Sequence, residues 1–260
     1  DYRTGLATHF REYLRQELQA WCDKNPKPDG SKWNIYEDGL KVFTTIDSRM
    51  QKYAEDAAAD QLKLLQANFF KEWNGKEPWK FGQRAKPELL DKMMKQSERY
   101  KELKAAGKSE KEIEKVFNQK IPMTVFSYGG DKSNQLDTLM SPLDSLRYYL
   151  QIVQVGFMAA DAKTGAIKAW VGGPNIRYFQ NDHVKKTTKR QVGSTMKPLV
   201  YAAAIDKGYE PCTPIEYLPP KCNGIDASWN PAGSGKWQDS DIVPMQEGLW
   251  RSDNRITANI

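Results

Sequence analysis

Histidine and cysteine are scarce in this chain: two histidines, His9 and His183, and three cysteines, Cys22, Cys212 and Cys222, among 260 residues. Two histidines cannot furnish a multi-histidine metal centre and leave a Ser-His-Asp triad with few candidates. The cysteines are too widely spaced for a C-x-x-C zinc or redox site. Cys212 and Cys222 can close a small loop in an oxidising compartment, and three reduced thiols fit the count equally well. No apolar run approaches the length of a membrane span, so any anchor is expected outside this stretch. The opening DYRTGLATHFREYLRQEL also lacks the basic, apolar and small-residue order of a signal peptide, and the chain is expected to be an excerpt of a longer one.

What is present describes a globular protein. Hydrophobic residues make up 39% and charged residues 28%, enough for one sizeable core plus an appendage. The formal charge of +6 raises the question of nucleic acid. The densest basic block, HVKKTTKR at 183–190, has no aromatic residue to stack on bases, and elsewhere Lys alternates with Glu as on a solvated helix face, so no nucleic-acid partner is expected.

Along the chain, residues 1–38 read as a stalk, a helical pattern in THFREYLRQELQAW followed by a loop rich in Pro, Gly, Asn and Asp. Residues 39–70 read as a strand, GLKVFTTID, feeding a long amphipathic helix with Ser48 as its N-cap. Residues 71–122 turn polar and read as a helical insertion, with two helices parted by Gly107 and a capping box from Ser109 to Glu112. Residues 123–260 carry the rest of an α/β (α+β) core. There MTVFSY reads as a strand and SPLDSLRYYLQI as a helix capped by Ser141. QVGFMAADAKTGAIKAWVGG reads as a hairpin turning at Ala162 to Gly165. Lys163-Thr164-Gly165 copies a triplet known from active sites, yet turn chemistry accounts for each of its residues.

The candidate chemistry lies in KRQVGSTMKPLVYAAAIDKG. Residues three apart on a helix share a face, so Ser194 and Lys197 bring a hydroxyl and an amine within range of each other. Gly193 permits a tight turn into the helix, and a serine there meets free backbone N–H groups and a positive dipole end suited to an oxyanion. Pro198 is tolerated in the first turn and is expected to leave the Ser194 carbonyl free. LVYAAAI is apolar on nearly all sides and predicts a helix buried in the core, ended by Gly208. A lysine at the start of such a helix is partly desolvated, which favours a neutral amine able to take the serine proton. An N-capping serine beside a snorkelling lysine explains S-x-x-K alone equally well. Further along, Ser252-Asp253-Asn254 adds a hydroxyl able to relay a proton between Lys197 and a leaving amine, and an amide able to bind a peptide carbonyl or orient Lys197. Asp253 reads as a helix or loop cap.

S-x-x-K, S-D-N and K-T-G are the known motif set of class A β-lactamases and penicillin-binding proteins. With FREYLRQEL, GLKVFTTIDSRMQ, DAKTGAIKAWVGG, KRQVGSTMKPLVYAAAI and SDN in order, the chain resembles the transpeptidase region of bifunctional class A penicillin-binding proteins. The resemblance implies a linker at 1–38 after a glycosyltransferase domain, a transpeptidase domain that starts at 39–70 and resumes at 123–260, and a sheet incomplete in this excerpt. It also implies a periplasmic or cell-surface enzyme whose parent is membrane-anchored, acting on peptidoglycan stem peptides, with β-lactams as covalent inhibitors and cell-wall synthesis proteins as partners. Its catalytic residues would be Ser194, Lys197, Ser252 and Asn254, with Gly193 and Asp253 at the substrate, and neither a metal nor an organic cofactor. The third motif, K-T/S-G, should follow S-D-N and is not reached by Ile260. A serine β-lactamase or β-lactam sensor, and a non-catalytic wall scaffold that binds a partner through the helical insertion, are the rival readings.

Overall fold

The computed structural model describes residues 3–82, 85–130, 134–220 and 229–260. It divides into two units, Asp1–Thr188 and Lys189–Ile260. Among the described residues the strands form three two-stranded antiparallel sheets among the helices, an α+β arrangement.

In the first unit, helix α1 (Thr8–Lys24) buries His9 and Cys22. Helix α2 (Ser48–Trp73) follows an irregular stretch and ends at Asn74 in the left-handed conformation. The cap of α2 is Asp47, one residue before the expected Ser48: its carboxylate accepts from the N–H groups of Arg49 and Met50, while Ser48 is already helical. The strand expected over 39–47 is absent. Among the described residues the segment bonds to residues 167–168 at its end, through Thr45 Oγ1 to the Ile167 carbonyl and Asp47 N–H to the Lys168 carbonyl, and two bonds do not make a ladder.

Among the described residues the helical insertion holds three α-helices, α3 (Leu89–Gln96), α4 (Glu98–Ala105) and α5 (Glu110–Asn118). The α4–α5 break falls at Gly107, at φ 73°, and the Ser109/Glu112 capping box is formed in both directions. Its backbone bond to Ser109 N–H, with the Lys108 ammonium, lowers the Glu112 carboxyl to about 2. Strand β1 (Ile121–Phe126) pairs with β2 (Gln135–Met140), in register from Ile121↔Met140 to Phe126↔Gln135. Helix α6 (Pro142–Leu150) is capped by Ser141 as its sequence predicts.

Strands β3 (Phe157–Ala160) and β4 (Ile167–Val171) form the expected hairpin. In its turn Asp161 Oδ1 accepts from the N–H groups of Lys163 and Thr164 and from the Thr164 hydroxyl, and Gly165 stands at φ 71°. The K-T-G copy is therefore an exposed turn. Gln51 of α2, 0% exposed, locks the helix to β4: its amide accepts from Trp170 N–H at 2.7 Å and donates to the Trp170 carbonyl at 2.8 Å.

In the second unit, one turn of 3-10 helix (Gly193–Met196) runs into α7 (Lys197–Asp206). Strand β5 (Pro214–Glu216) pairs with β6 (Ile242–Pro244), followed by α8 (Met245–Trp250) and α9 (Asn254–Asn259). Tyr201, Ala204, Ile215, Tyr217, Val243, Met245 and Ile256 make the core. Helix α7 ends as expected, with Gly208 at φ 92°. Its burial differs from expectation: Lys197, Tyr201 and Ala204 are covered, but Leu199 and Ile205 are 63% and 54% exposed. Among the described residues of this unit α8 and α9 pack against α7, leaving Leu199 and Ile205 to solvent. Cys212 is exposed; Cys222, and with it the Cys212–Cys222 loop closure, lies outside the described residues.

Candidate active site

Gly193 opens the 3-10 turn at φ 54°, and with no atom within 4 Å of a built Cβ it is this dihedral, not crowding, that calls for glycine. Ser194 follows it, exposed to solvent. In a 3-10 turn residues i and i+3 eclipse, which places Ser194 and Lys197 on one edge of the turn. The Ser194 carbonyl is not free as expected; the turn tightens and the carbonyl accepts from Lys197 N–H.

Lys197 is the first residue of α7 and only 6% exposed. Its ammonium is turned to Ser252, donating to that residue's carbonyl and, at 3.1 Å, to Ser252 Oγ. Among the described residues no hydrogen bond joins Ser194 Oγ to Lys197 Nζ. Burial holds the Lys197 pKa below the ordinary lysine value, against a smaller opposing pull from the charge of Asp253.

The S-D-N tripeptide is the joint between α8 and α9. Ser252 stands at φ 52°, donates its N–H to the Leu249 carbonyl, and is followed by Asp253 N–H bonded to the Gly248 carbonyl. These are the two bonds of a Schellman motif, with serine in the left-handed position that glycine usually takes. Asp253 is 1% exposed. One of its oxygens accepts from Ile256 N–H at 3.0 Å and caps α9; the other accepts from Ser234 N–H at 2.6 Å and faces Tyr217 Oη at 3.5 Å. Burial alone would raise its pKa, but the N–H bonds from Ile256 and Ser234 outweigh that and hold the carboxyl below its usual value. Asn254 begins α9, exposed, its Nδ2 donating to the Ala232 carbonyl at 3.0 Å.

The structure thus joins Lys197 to Ser252 directly and sets Asp253 and Asn254 on the same joint, with Ser194 one turn before Lys197. The Ala232 carbonyl and Ser234 N–H, which engage Asn254 and Asp253, were not legible in the sequence, because backbone groups carry no residue signature. Among the described residues no cluster of His, Cys, Asp and Glu is able to hold a metal ion, and no helix is long and apolar enough to cross a membrane.

Residues 74–153 match the family model of the penicillin-binding protein middle domain, and residues 155–260 that of the penicillin binding protein transpeptidase domain. The chain belongs to the penicillin-binding proteins. The helical insertion, read from the sequence as 71–122, falls inside the middle-domain match from residue 74 on, as do β1 and β2, while β3–β4 and β5–β6 fall inside the transpeptidase match as separate two-stranded pieces of sheet. Penicillin-binding protein 1A of Neisseria flavescens is 33% identical over 115 residues, covering 42% of this chain and 14% of the relative. Penicillin-binding protein 1A of Neisseria lactamica is 34% identical over 115 residues with the same coverage. Penicillin-binding protein 2D of Bacillus subtilis is 36% identical over 107 residues, 39% of this chain and 15% of the relative. The aligned stretch therefore spans about a seventh of the length of these relatives.

Proposed function

We propose that the chain carries the acylating half of a serine D,D-transpeptidase site that cross-links peptidoglycan. Ser194 attacks the carbonyl between two terminal D-alanines of a stem peptide; the last D-alanine leaves as an amine and the remainder stays as an ester on Ser194. An amine from a neighbouring stem then displaces Ser194 and forms the cross-link. The observation that carries this reading is the buried Lys197 ammonium held on Ser252 Oγ. A lysine whose pKa is lowered by burial supplies the neutral amine that takes the Ser194 proton, and Ser252 passes that proton to the departing amine. Asn254 binds a substrate carbonyl through its amide. Gly193 sets the turn that presents Ser194, and Asp253 serves the substrate by holding Ser252 and Asn254 in place. Penicillins acylate Ser194 as substrate mimics. The K-T/S-G motif, an upstream glycosyltransferase, a membrane anchor and an extracytoplasmic location belong to the same reading of the full-length protein, as do partners among cell-wall synthesis proteins.

The test is labelling with a fluorescent penicillin, followed by peptide mapping. The full-length protein is expected to be labelled at Ser194, and Ser194→Ala to abolish the label. The rate should climb with pH to a midpoint below the value of about 10.4 of an unperturbed lysine. The 260-residue chain alone is expected to label very slowly or not at all, and rapid labelling of it would contradict the half-site reading. Steady β-lactam hydrolysis would identify a hydrolysing relative instead, and a folded protein with no label would favour the scaffold.

A further inference from the structure

The amide of Asn254 is already engaged. Ala232 offers it a backbone carbonyl at 3.0 Å, and two residues on Ser234 N–H is bonded to Asp253 Oδ2 at 2.6 Å. Ala232-Gly233-Ser234 is thus laid across the S-D-N joint by two hydrogen bonds to two consecutive residues of it. The fit is close: a Cβ on Gly233 would collide with Tyr217 Oη and stand 3.2 Å from Asp253 Oδ2, and Tyr217 is itself buried. Further along, Lys236 pairs with Glu247 at 3.3 Å and lies over the Trp237 ring, which packs against the core. A peptide carbonyl on Asn254 is also what a stem peptide would present.

We infer that Ala232–Ser234 is an autoinhibitory strap: the Ala232 carbonyl holds the Asn254 amide that a substrate carbonyl must take, and the strap has to lift before a peptide binds. The inference rests on the reading of Asn254 as the carbonyl-binding group. A site closed most of the time binds in proportion to its open fraction, so loosening the strap speeds acylation.

Two variants loosen it without touching Ser194, Lys197, Ser252 or Asn254. Gly233→Ala denies the strap its seat against Tyr217, and Ser234→Pro removes the N–H that Asp253 accepts. In the full-length protein each is expected to raise the second-order rate of acylation by a fluorescent penicillin about three- to tenfold, the rough worth of one neutral hydrogen bond. Hydrogen exchange in the peptide spanning 229–241 should quicken in parallel. Folded variants, by circular dichroism, whose acylation is unchanged or slower would overturn the strap. Loss of the fold in both would overturn it too, since the segment would then be part of the core and not a latch. If the unaltered protein takes no label on Ser194, or Asn254→Ala labels as fast as it does, the reading of the site fails and the strap with it.

Discussion

Ser252 occupies a backbone position that suits glycine. A left-handed conformation costs a residue with a Cβ about 1–2 kcal/mol, and the Schellman joint between α8 and α9 would close as well or better with glycine there. What serine adds is a hydroxyl 3.1 Å from Lys197 Nζ. A local rule broken at one residue, with a chemical group gained in return, is what the proposed role of Ser252 requires. Ser252→Gly should therefore separate stability from activity. Urea denaturation is expected to give equal or higher stability, by up to about 1 kcal/mol, with the backbone relieved of strain. Acylation of Ser194 is expected to fall by roughly 100-fold, the lower range for removing a general acid or base. A variant less stable and equally reactive would make Ser252 a structural residue. The S-D-N motif was legible in the sequence as a set of chemical groups, and Asp253 as the cap it proves to be; the end of α8 at Ser252 was not, because the left-handed position falls on serine and so hides the glycine signal that ordinarily marks it.

Most elements whose shape is fixed locally were read correctly from local residues; the α2 cap, expected at Ser48, lies one residue earlier at Asp47. The capping box at Ser109 and Glu112, the Ser141 cap of α6 and the Asp161 turn of the β3–β4 hairpin each depend on groups within three residues of one another. The larger misreadings have distant causes. The expected strand at 39–47 has β-forming residues but, among the described residues, no ladder partner beyond two bonds to Ile167 and Lys168, and a strand exists only as a pair. Gln51 is the reverse case, a polar residue on a helix whose amide takes the place of a neighbouring strand beside Trp170. Gln51→Ala would leave the buried Trp170 N–H and carbonyl without partners, at about 1–3 kcal/mol for each such group. Unfolding of the first unit in urea is expected to need about 2–4 kcal/mol less, whereas Ser109→Ala, at an exposed cap, should cost about 1 kcal/mol. Equal losses from the two would mean that Gln51 does not lock α2 to β4.

At the scale of the whole molecule, apolar pattern and actual burial disagree in the second unit. The LVYAAAI helix has the composition of a segment covered on every side, yet beside its buried Tyr201 and Ala204 the side chains of Leu199 and Ile205 are 63% and 54% exposed. Met196, Leu199, Val200, Ala203 and Ile260 line an open, largely apolar hollow of about 390 Å³ along this helix. Periodicity reports which faces a sequence is suited to bury and carries no information on whether a neighbour is there to bury them, so this discrepancy could not be seen before the structure. Contiguous exposed apolar surface of this kind drives dye binding and self-association. The 260-residue chain is therefore expected to bind an apolar fluorescent dye and to associate as its concentration rises, as seen by light scattering. Leu199→Ser and Ile205→Ser together should reduce both while leaving the melting temperature within a few degrees, about what exposed substitutions allow. A large fall in melting temperature would mean that these side chains are packed in solution, and that α7 is as buried as its sequence predicts.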